Sequence, residues 1–222
     1  MIKINLGCGA RPFVGKEWVN VDSGIDFDML RAKKGPFSDA PDYGEDTITV
    51  IGDALNLPFP DNYADYLESQ DMVEHLPFYL QPALYKEMFR VLKPGGELRV
   101  STVDFSSLAR IWLEEVDNNP NVTSDDYVNV QEMIYGNQFH DGEYHKTAYS
   151  PTLASTLLNG AGFTDVTITI YPRFSLEFPP LYGCDSVREH QKLVAEGEKD
   201  QEIKTSIGCR SDVLYLNAFK PQ

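Results

Sequence analysis

Two histidines, two acids and three aromatic rings fall within the stretch Tyr135-Gly136-Asn137-Gln138-Phe139-His140-Asp141-Gly142-Glu143-Tyr144-His145-Lys146. Imidazoles titrate near neutral pH, so His140 and His145 suit proton transfer or substrate contact. The aromatic residues supply walls for a pocket. The same stretch offers His140, Asp141, Glu143 and His145 as metal donors, but nothing in their spacing puts them on one helix face, and no metal is expected. A second reactive set lies at the N-terminus. The apolar run Ile2-Lys3-Ile4-Asn5-Leu6 enters Gly7-Cys8-Gly9, and Trp18-Val19-Asn20-Val21 ends at Asp22. Glycines let a backbone turn sharply and approach a ligand, and a carboxylate closing a second strand suits ribose hydroxyls. A nucleotide-like cofactor is the expected occupant.

The common nucleotide loops fit poorly. A dinucleotide fingerprint needs a third glycine at the opening of a helix, whereas Gly9-Ala10-Arg11 is followed by Pro12. A phosphate loop needs Ser or Thr after Gly15-Lys16, and Glu17 stands there. Hydride transfer therefore loses its main support, and ATP hydrolysis is rejected.

Alternating strand and helix patterns predict the scaffold for these residues, a mostly parallel sheet covered on both faces. Ile48 to Gly52 reads as a strand ending at Asp53. Gln81 to Leu92 reads as a helix with Leu84, Met88, Val91 and Leu92 on one face, stopped by Gly95-Gly96. Glu97 to Val103 then alternates, with Leu98, Val100 and Thr102 on one side. Asp104 caps a helix carrying Leu108, Ile111 and Trp112, which breaks at Asn118-Asn119-Pro120. Ser124-Asp125-Asp126 opens another, with Tyr127, Val130, Met133 and Ile134 as its apolar face. Ser150-Pro151 begins a helix with Leu153, Leu157, Leu158 and Ala161 on its buried stripe up to Gly162. Val166, Ile168 and Ile170 form the next strand, and Val213 to Phe219 the last. Between them residues 172–211 make a long excursion, with a solvated helix expected over Arg188 to Lys204. Ligands of open parallel sheets bind beyond the carboxyl ends of the strands, so the loops after Leu6, Val21, Ile51, Glu68 and Val103 should converge.

Further motifs follow in order: Asp53-Ala54-Leu55-Asn56-Leu57-Pro58-Phe59-Pro60-Asp61 with Asp65, Glu74-His75-Leu76, and Glu87-Met88-Phe89-Arg90-Val91-Leu92-Lys93-Pro94-Gly95-Gly96. With Leu6-Gly7-Cys8-Gly9, this series resembles the class I S-adenosylmethionine-dependent methyltransferases. The resemblance is dense from Ile2 to Val103 and looser from Ser150 to Phe163. It implies a Rossmann-like, mostly parallel seven-stranded sheet whose last strand is antiparallel, in one domain over residues 1–222, with a helical lid insertion at about 104–149. It implies S-adenosyl-L-methionine as cofactor, bound by Leu6, Gly7, Cys8, Gly9, Asp22, Gly52, Asp53, Ala54, Leu55 and Gln70. Gly7 and Gly9 would pack against its methionine part, Asp22 would hold the ribose, and Asp53 would face the adenine. On the acceptor side stand Asp71, His140 and His145 as catalytic candidates. Asp71 is equally well placed to cap a helix from Met72, and His75 reads as structural. Two positions depart from the family pattern: Asn5 replaces an acid, and Arg11 stands where a glycine is usual. The span from Arg11 to Val21 is also too short for the usual helix.

Composition narrows the partners. The net charge of -15 over 222 residues leaves Arg31-Ala32-Lys33-Lys34 as the one basic cluster, so nucleic acid is an improbable partner. Cys8, Cys184 and Cys209 form no C-x-x-C pair, and no run approaches the ~20 apolar residues of a membrane span. A cytoplasmic enzyme, monomer or homodimer, acting on a small-molecule methyl acceptor is the expectation. Its alternatives are a non-catalytic S-adenosylmethionine-binding protein, a methyltransferase acting on a macromolecule, and, less favoured, a nicotinamide-dependent oxidoreductase.

Overall fold

Strand alternation sends Ile4 and Leu6, Val19 and Val21, Leu67, Leu98 and Val100, and Leu214 and Leu216 to one face of a single sheet, where all are buried. The computed structural model describes residues 1–9, 12–13, 15–23, 48–138, 141–172 and 212–222. The strands are β1 (Lys3–Leu6), β2 (Trp18–Asp22), β3 (Thr49–Ile51), β4 (Ala64–Gln70), β5 (Leu92–Val103), β6 (Thr164–Pro172) and β7 (Asp212–Phe219). They lie in the order β3-β2-β1-β4-β5-β7-β6. β1 to β5 pair in parallel, while β7 runs antiparallel to both β5 and β6. The expected Rossmann-like sheet is therefore present, reversed last strand included.

Among the described residues, two helices cover the apolar face. α1 (Gln81–Val91) contributes Leu84, Tyr85, Met88 and Val91, and α4 (Pro151–Ala161) contributes Ala154, Leu157 and Leu158. α4 begins as expected, with the Ser150 side chain accepting from the Leu153 amide at 3.3 Å. It ends at Gly162 in a left-handed conformation, φ +103°. The opposite face of the sheet carries a polar row through Asn20, Asn5, Glu68, Arg99 and Asn217, in register from β2 to β7. Phe13, Trp18 and Tyr66 form a separate aromatic cluster on that side, with Phe13 and Trp18 edge to face at 4.6 Å.

Two expectations need correction. β5 does not begin at Glu97: it starts at Leu92, directly after α1, so the turn glycines lie within the strand. The reason is pairing, since Leu92 aligns with Ala64, the Gly95 amide donates to the Lys220 carbonyl, and the Lys220 amide returns a bond to Gly96. Tyr127 is exposed, not part of an apolar face. α3 (Ser124–Tyr135) turns Val130 inward against α2 (Phe105–Ile111) and the π-helical turn after it (Trp112–Asp117), leaving Tyr127 tilted on the Trp112 ring at 5.5 Å. The excursion after β6 and the charged helix expected in it lie outside the described residues.

Candidate active site

The parallel registers align the carboxyl ends of the strands: Leu6 pairs with Val21 and Ser69, Asp22 with Ile51, and Gln70 with Ser101. β1 lies between β2 and β4, where the strand order reverses, and a crevice opens at such a point. The chain leaves β1 through Gly7, at φ +71°, and Gly9, at φ +48°. The amides of Gly7 and Cys8 both donate to the Val21 carbonyl. The Gly9 amide donates to Asp22 Oδ2 at 3.0 Å, and Ser23 Oγ to Asp22 Oδ1 at 3.3 Å. Asp22 is thus buried, fixed in orientation and joined to the glycine loop. Leu6 and Cys8 are buried beside it.

A Cβ on Gly7 would stand 2.0 Å from Met72 Cγ, at a backbone angle that L residues rarely adopt. Gly7→Ala must therefore displace either the loop or Met72, and cofactor affinity should fall by more than tenfold, read by calorimetry on protein whose folding is verified by circular dichroism. Unchanged affinity would show that the loop does not approach a ligand.

Asn5 has a structural account. Asn5 Nδ2 donates to Asn20 Oδ1, which also accepts from the Phe13 amide, while Asn20 Nδ2 donates to the carbonyls of Phe13 and Ile48. The amide pair thus fastens the short connection to the sheet, and residues 15–17 form only a turn before β2. Arg11 lies outside the described residues.

Along the same edge, the Gly52 amide donates to the Asp22 carbonyl. Asp53 is exposed and turns the chain on itself, its Oδ1 accepting from Leu55 N at 2.9 Å, with Ala54 between them. Gln70 Nε2 donates to buried Glu68. Asp71 is exposed with a left-handed backbone, φ +45°, its amide on the Ser101 carbonyl. It is not the N-cap of the 3-10 turn that follows, Val73–His75, where Met72 stands. Left-handed non-glycine residues concentrate at functional sites.

Beyond Asp71 the rim meets the segment carrying α2 and α3. Asp104 caps α2 as expected, accepting from the amides of Ser106 and Ser107. The Glu74 carbonyl accepts from the amides of Lys146 and Thr147 at 2.7 and 3.1 Å. Buried Gln81 binds the carbonyls of Val73 and Leu76 and accepts from Tyr149 Oη. Burial, reinforced by Tyr85 and Glu74, holds the Tyr149 phenol far above the ordinary tyrosine range, so it stays protonated. Between these segments lies a cavity of about 190 Å³, whose walls include Glu74, Phe105, Met133, Tyr135, His145 and Tyr149.

The structure thus brings His145 to the rim beside Glu74 and His75, with the His75 and His145 rings edge to face at 4.8 Å. Burial lowers the His75 pKa, against the raising influence of the neighbouring Tyr144 and Asp71 backbone and the Asp71 charge. Asp141 and Glu143 lie in a 3-10 turn with no buried residue. His140 lies outside the described residues. Sequence reasoning missed Glu74 and Tyr149 as cavity residues. Glu74 was visible only as part of a shared motif, and Tyr149 had no signal beyond standing before a helix cap. Phe59 and Tyr63 stack at 4.8 Å and pack against the main core.

Residues 6–100 match the model of a methyltransferase domain family. Demethylmenaquinone methyltransferase of Listeria monocytogenes is 38% identical over 78 residues, which are 34% of this chain and 31% of that protein. Sterol 24-C-methyltransferase of Yarrowia lipolytica is 31% identical over 98 residues, 42% of this chain and 25% of that one. The matches thus span a third or less of these curated relatives. Among solved structures, an S-adenosylmethionine-dependent methyltransferase of Methanosarcina mazei superposes with a TM-score of 0.54 at 14% identity, covering 99% of this chain and 92% of its own. Phosphoethanolamine N-methyltransferase 2 of Haemonchus contortus, in complex with S-adenosyl-L-methionine, gives 0.52 at 14% identity, over 100% of this chain and 49% of its own. Residues 6–100 of the chain thus match a methyltransferase domain model, and its sheet has the Rossmann-like order shared with these solved methyltransferases.

Proposed function

We propose that the chain transfers a methyl group from S-adenosyl-L-methionine to a small-molecule acceptor held in the 190 Å³ cavity. The observation that carries this reading is the joined pair of Gly9 amide and Asp22 carboxylate at the reversal of strand order, with the cavity further along the same rim. The bound cofactor supplies an electrophilic methyl carbon on a sulfonium. Gly7 gives the loop its close approach, Asp22 takes the ribose hydroxyls, and Asp53 and Leu55 border the adenine. Leu6, Cys8, Gly52, Ala54 and Gln70 complete the surround.

Methyl transfer is an in-line displacement, so the protein chiefly orients the acceptor and excludes water. The acceptor atom forms the new bond to carbon as the carbon–sulfur bond breaks. An acceptor that carries a proton must also lose it, and Asp71 and His145 stand on the acceptor side to receive it. His140 joins them as a candidate from the sequence alone. The segment about 104–149 acts as the lid of one domain, since its contacts through Glu74 and Gln81 form the cavity wall. The cavity size and the net charge of -15 favour a small, neutral or cationic acceptor over nucleic acid. No helix of the described residues is long and apolar enough to cross a membrane.

The test is conversion of S-adenosylmethionine to S-adenosylhomocysteine across a panel of small amines, phenols and quinols. At least one acceptor should raise turnover above background. Ala148→Trp, which places an indole in the cavity, should then raise the acceptor KM by more than tenfold while leaving S-adenosylhomocysteine affinity intact. Cofactor binding without turnover on any acceptor would replace this reading with a non-catalytic binding protein, and absence of binding would overturn both.

A further inference from the structure

Glu74, His75 and His145 come together from two segments seventy residues apart, each offering one ligand atom, with all three atoms within 4.8 Å of one another. We propose that they form a binding site for a divalent transition-metal ion at the mouth of the cavity. The inference shares His145 with the proposed acceptor site, but metal binding is read without turnover, so its failure and the failure of the methyltransferase reading are distinguishable.

The donor set comes first. Two imidazoles and one carboxylate are the ligands of catalytic zinc sites and of the facial sites that hold ferrous iron. Ions that prefer oxygen-only coordination, calcium and magnesium, are disfavoured by the two nitrogens. Geometry comes second. With zinc–nitrogen bonds of about 2.0–2.1 Å, the ring centroids of two imidazoles on one tetrahedral ion lie about 5 Å apart, and the observed separation is 4.8 Å. Donor atoms on such an ion are about 3.3 Å apart, so the three atoms, all within 4.8 Å of one another, need close by no more than about 1.5 Å to share one ion.

Orientation is the third argument. His145 Nδ1 lies 3.0 Å from the Met133 carbonyl oxygen, which only accepts, so Nδ1 carries the hydrogen and Nε2 presents a lone pair. Fixing the ring by a backbone carbonyl on its other nitrogen is how metal-ligating histidines are usually held. His75 Nδ1 is buried with no hydrogen-bond partner, a condition an ion would relieve. The backbone between the ligands is pinned as well, because the Glu74 carbonyl accepts from the amides of Lys146 and Thr147, next to His145. Glu74 and His145 both line the cavity, so an ion between them keeps a coordination position facing the space where a small molecule would sit.

Chelator-treated protein titrated with zinc chloride should bind one equivalent per chain by calorimetry. Cobalt(II) should give the visible absorption of a four- or five-coordinate nitrogen and oxygen site. His145→Ala, His75→Gln and Glu74→Gln should each weaken zinc binding by more than tenfold and bleach the cobalt spectrum, in proteins whose far-ultraviolet circular dichroism matches the parent. The paired substitution Asp141→Ala and Glu143→Ala, on the neighbouring exposed turn, should leave both readouts unchanged. Absence of a saturable site in the parent overturns the proposal. So does binding that the acidic pair reduces while the histidine variants leave it intact, which would mean diffuse attraction to a negative surface. If Glu74→Gln does not fold, the two histidine variants decide the matter.

Discussion

Asp22→Ala should weaken S-adenosylhomocysteine binding by about a hundredfold or more while the chain stays folded. In the proposed site the carboxylate has two duties. It accepts from the Gly9 amide at 3.0 Å, fixing the glycine loop, and it faces the ribose. Hydrogen bonds to a charged group contribute about 1.5–3 kcal/mol each, and every 1.4 kcal/mol is about tenfold in affinity. Loss of two such bonds therefore exceeds a hundredfold. Asp22→Asn separates the duties: the amide oxygen can still take the Gly9 hydrogen, but the charge is gone, so a smaller loss is expected. Asp53→Ala should cost less than Asp22→Ala, because Asp53 is exposed and its carboxylate already serves the Leu55 amide. Calorimetric titration of the four proteins reads the order directly. Equal affinity in parent and Asp22→Ala, with matching circular dichroism, would remove the ribose assignment.

The largest stability effect should come from Glu87→Ala, far from any ligand. Glu87 lies on the buried side of α1, its Oε1 accepting from the Leu57 amide at 2.6 Å and its carboxylate held by Arg90 through Nε and Nη2. Arg90 also binds the carbonyls of Phe59 and Leu57 and the carboxylate of Asp61. This one pair ties the whole turn after Asp53 to the helix. Removing Glu87 leaves a buried amide without its acceptor and a partly buried guanidinium without its main counter-charge. Breaking buried pairs costs about 3–5 kcal/mol, and because Arg90 is partly exposed the lower end applies. For a chain of this size about 3 kcal/mol lowers the melting temperature by about 10 °C. Asp61→Ala, at the exposed end of the same network, should change stability by less than about 1 kcal/mol. A thermal melt in which the two variants behave alike would show that burial does not set the strength of this network.

Much of the fold was legible because its signals are local. Strand alternation at Ile4 and Leu6, the Asp104 and Ser150 caps and the Gly162 stop each act within a few residues, and each is where the pattern put it. The start of β5 was not legible, since it depends on Leu92 pairing with Ala64 and on bonds from Gly95 and Gly96 to Lys220 at the far end of the chain. The exposure of Tyr127 was hidden for a similar reason: helical spacing shows that a face can be apolar, not whether a neighbour covers it.

For the site the division is the same. By itself the sequence determined a short strand, a glycine turn and a carboxylate ready for a nucleotide-like cofactor, because a turn and its flanking strands are specified by adjacent residues. It also determined the order of motifs over residues 6–100, which match a methyltransferase domain model. Only the tertiary structure decided that Asn5 and Asn20 brace the first loop, and that Met72 and not Asp71 stands at the N-cap of the turn Val73–His75. It alone regrouped the histidines, setting His145 beside Glu74 and His75. The physical reason is that the carboxyl edge of a parallel sheet collects the ends of strands distant in sequence, so which side chains share that edge is fixed by strand order and register, and spacing along the chain carries no record of either.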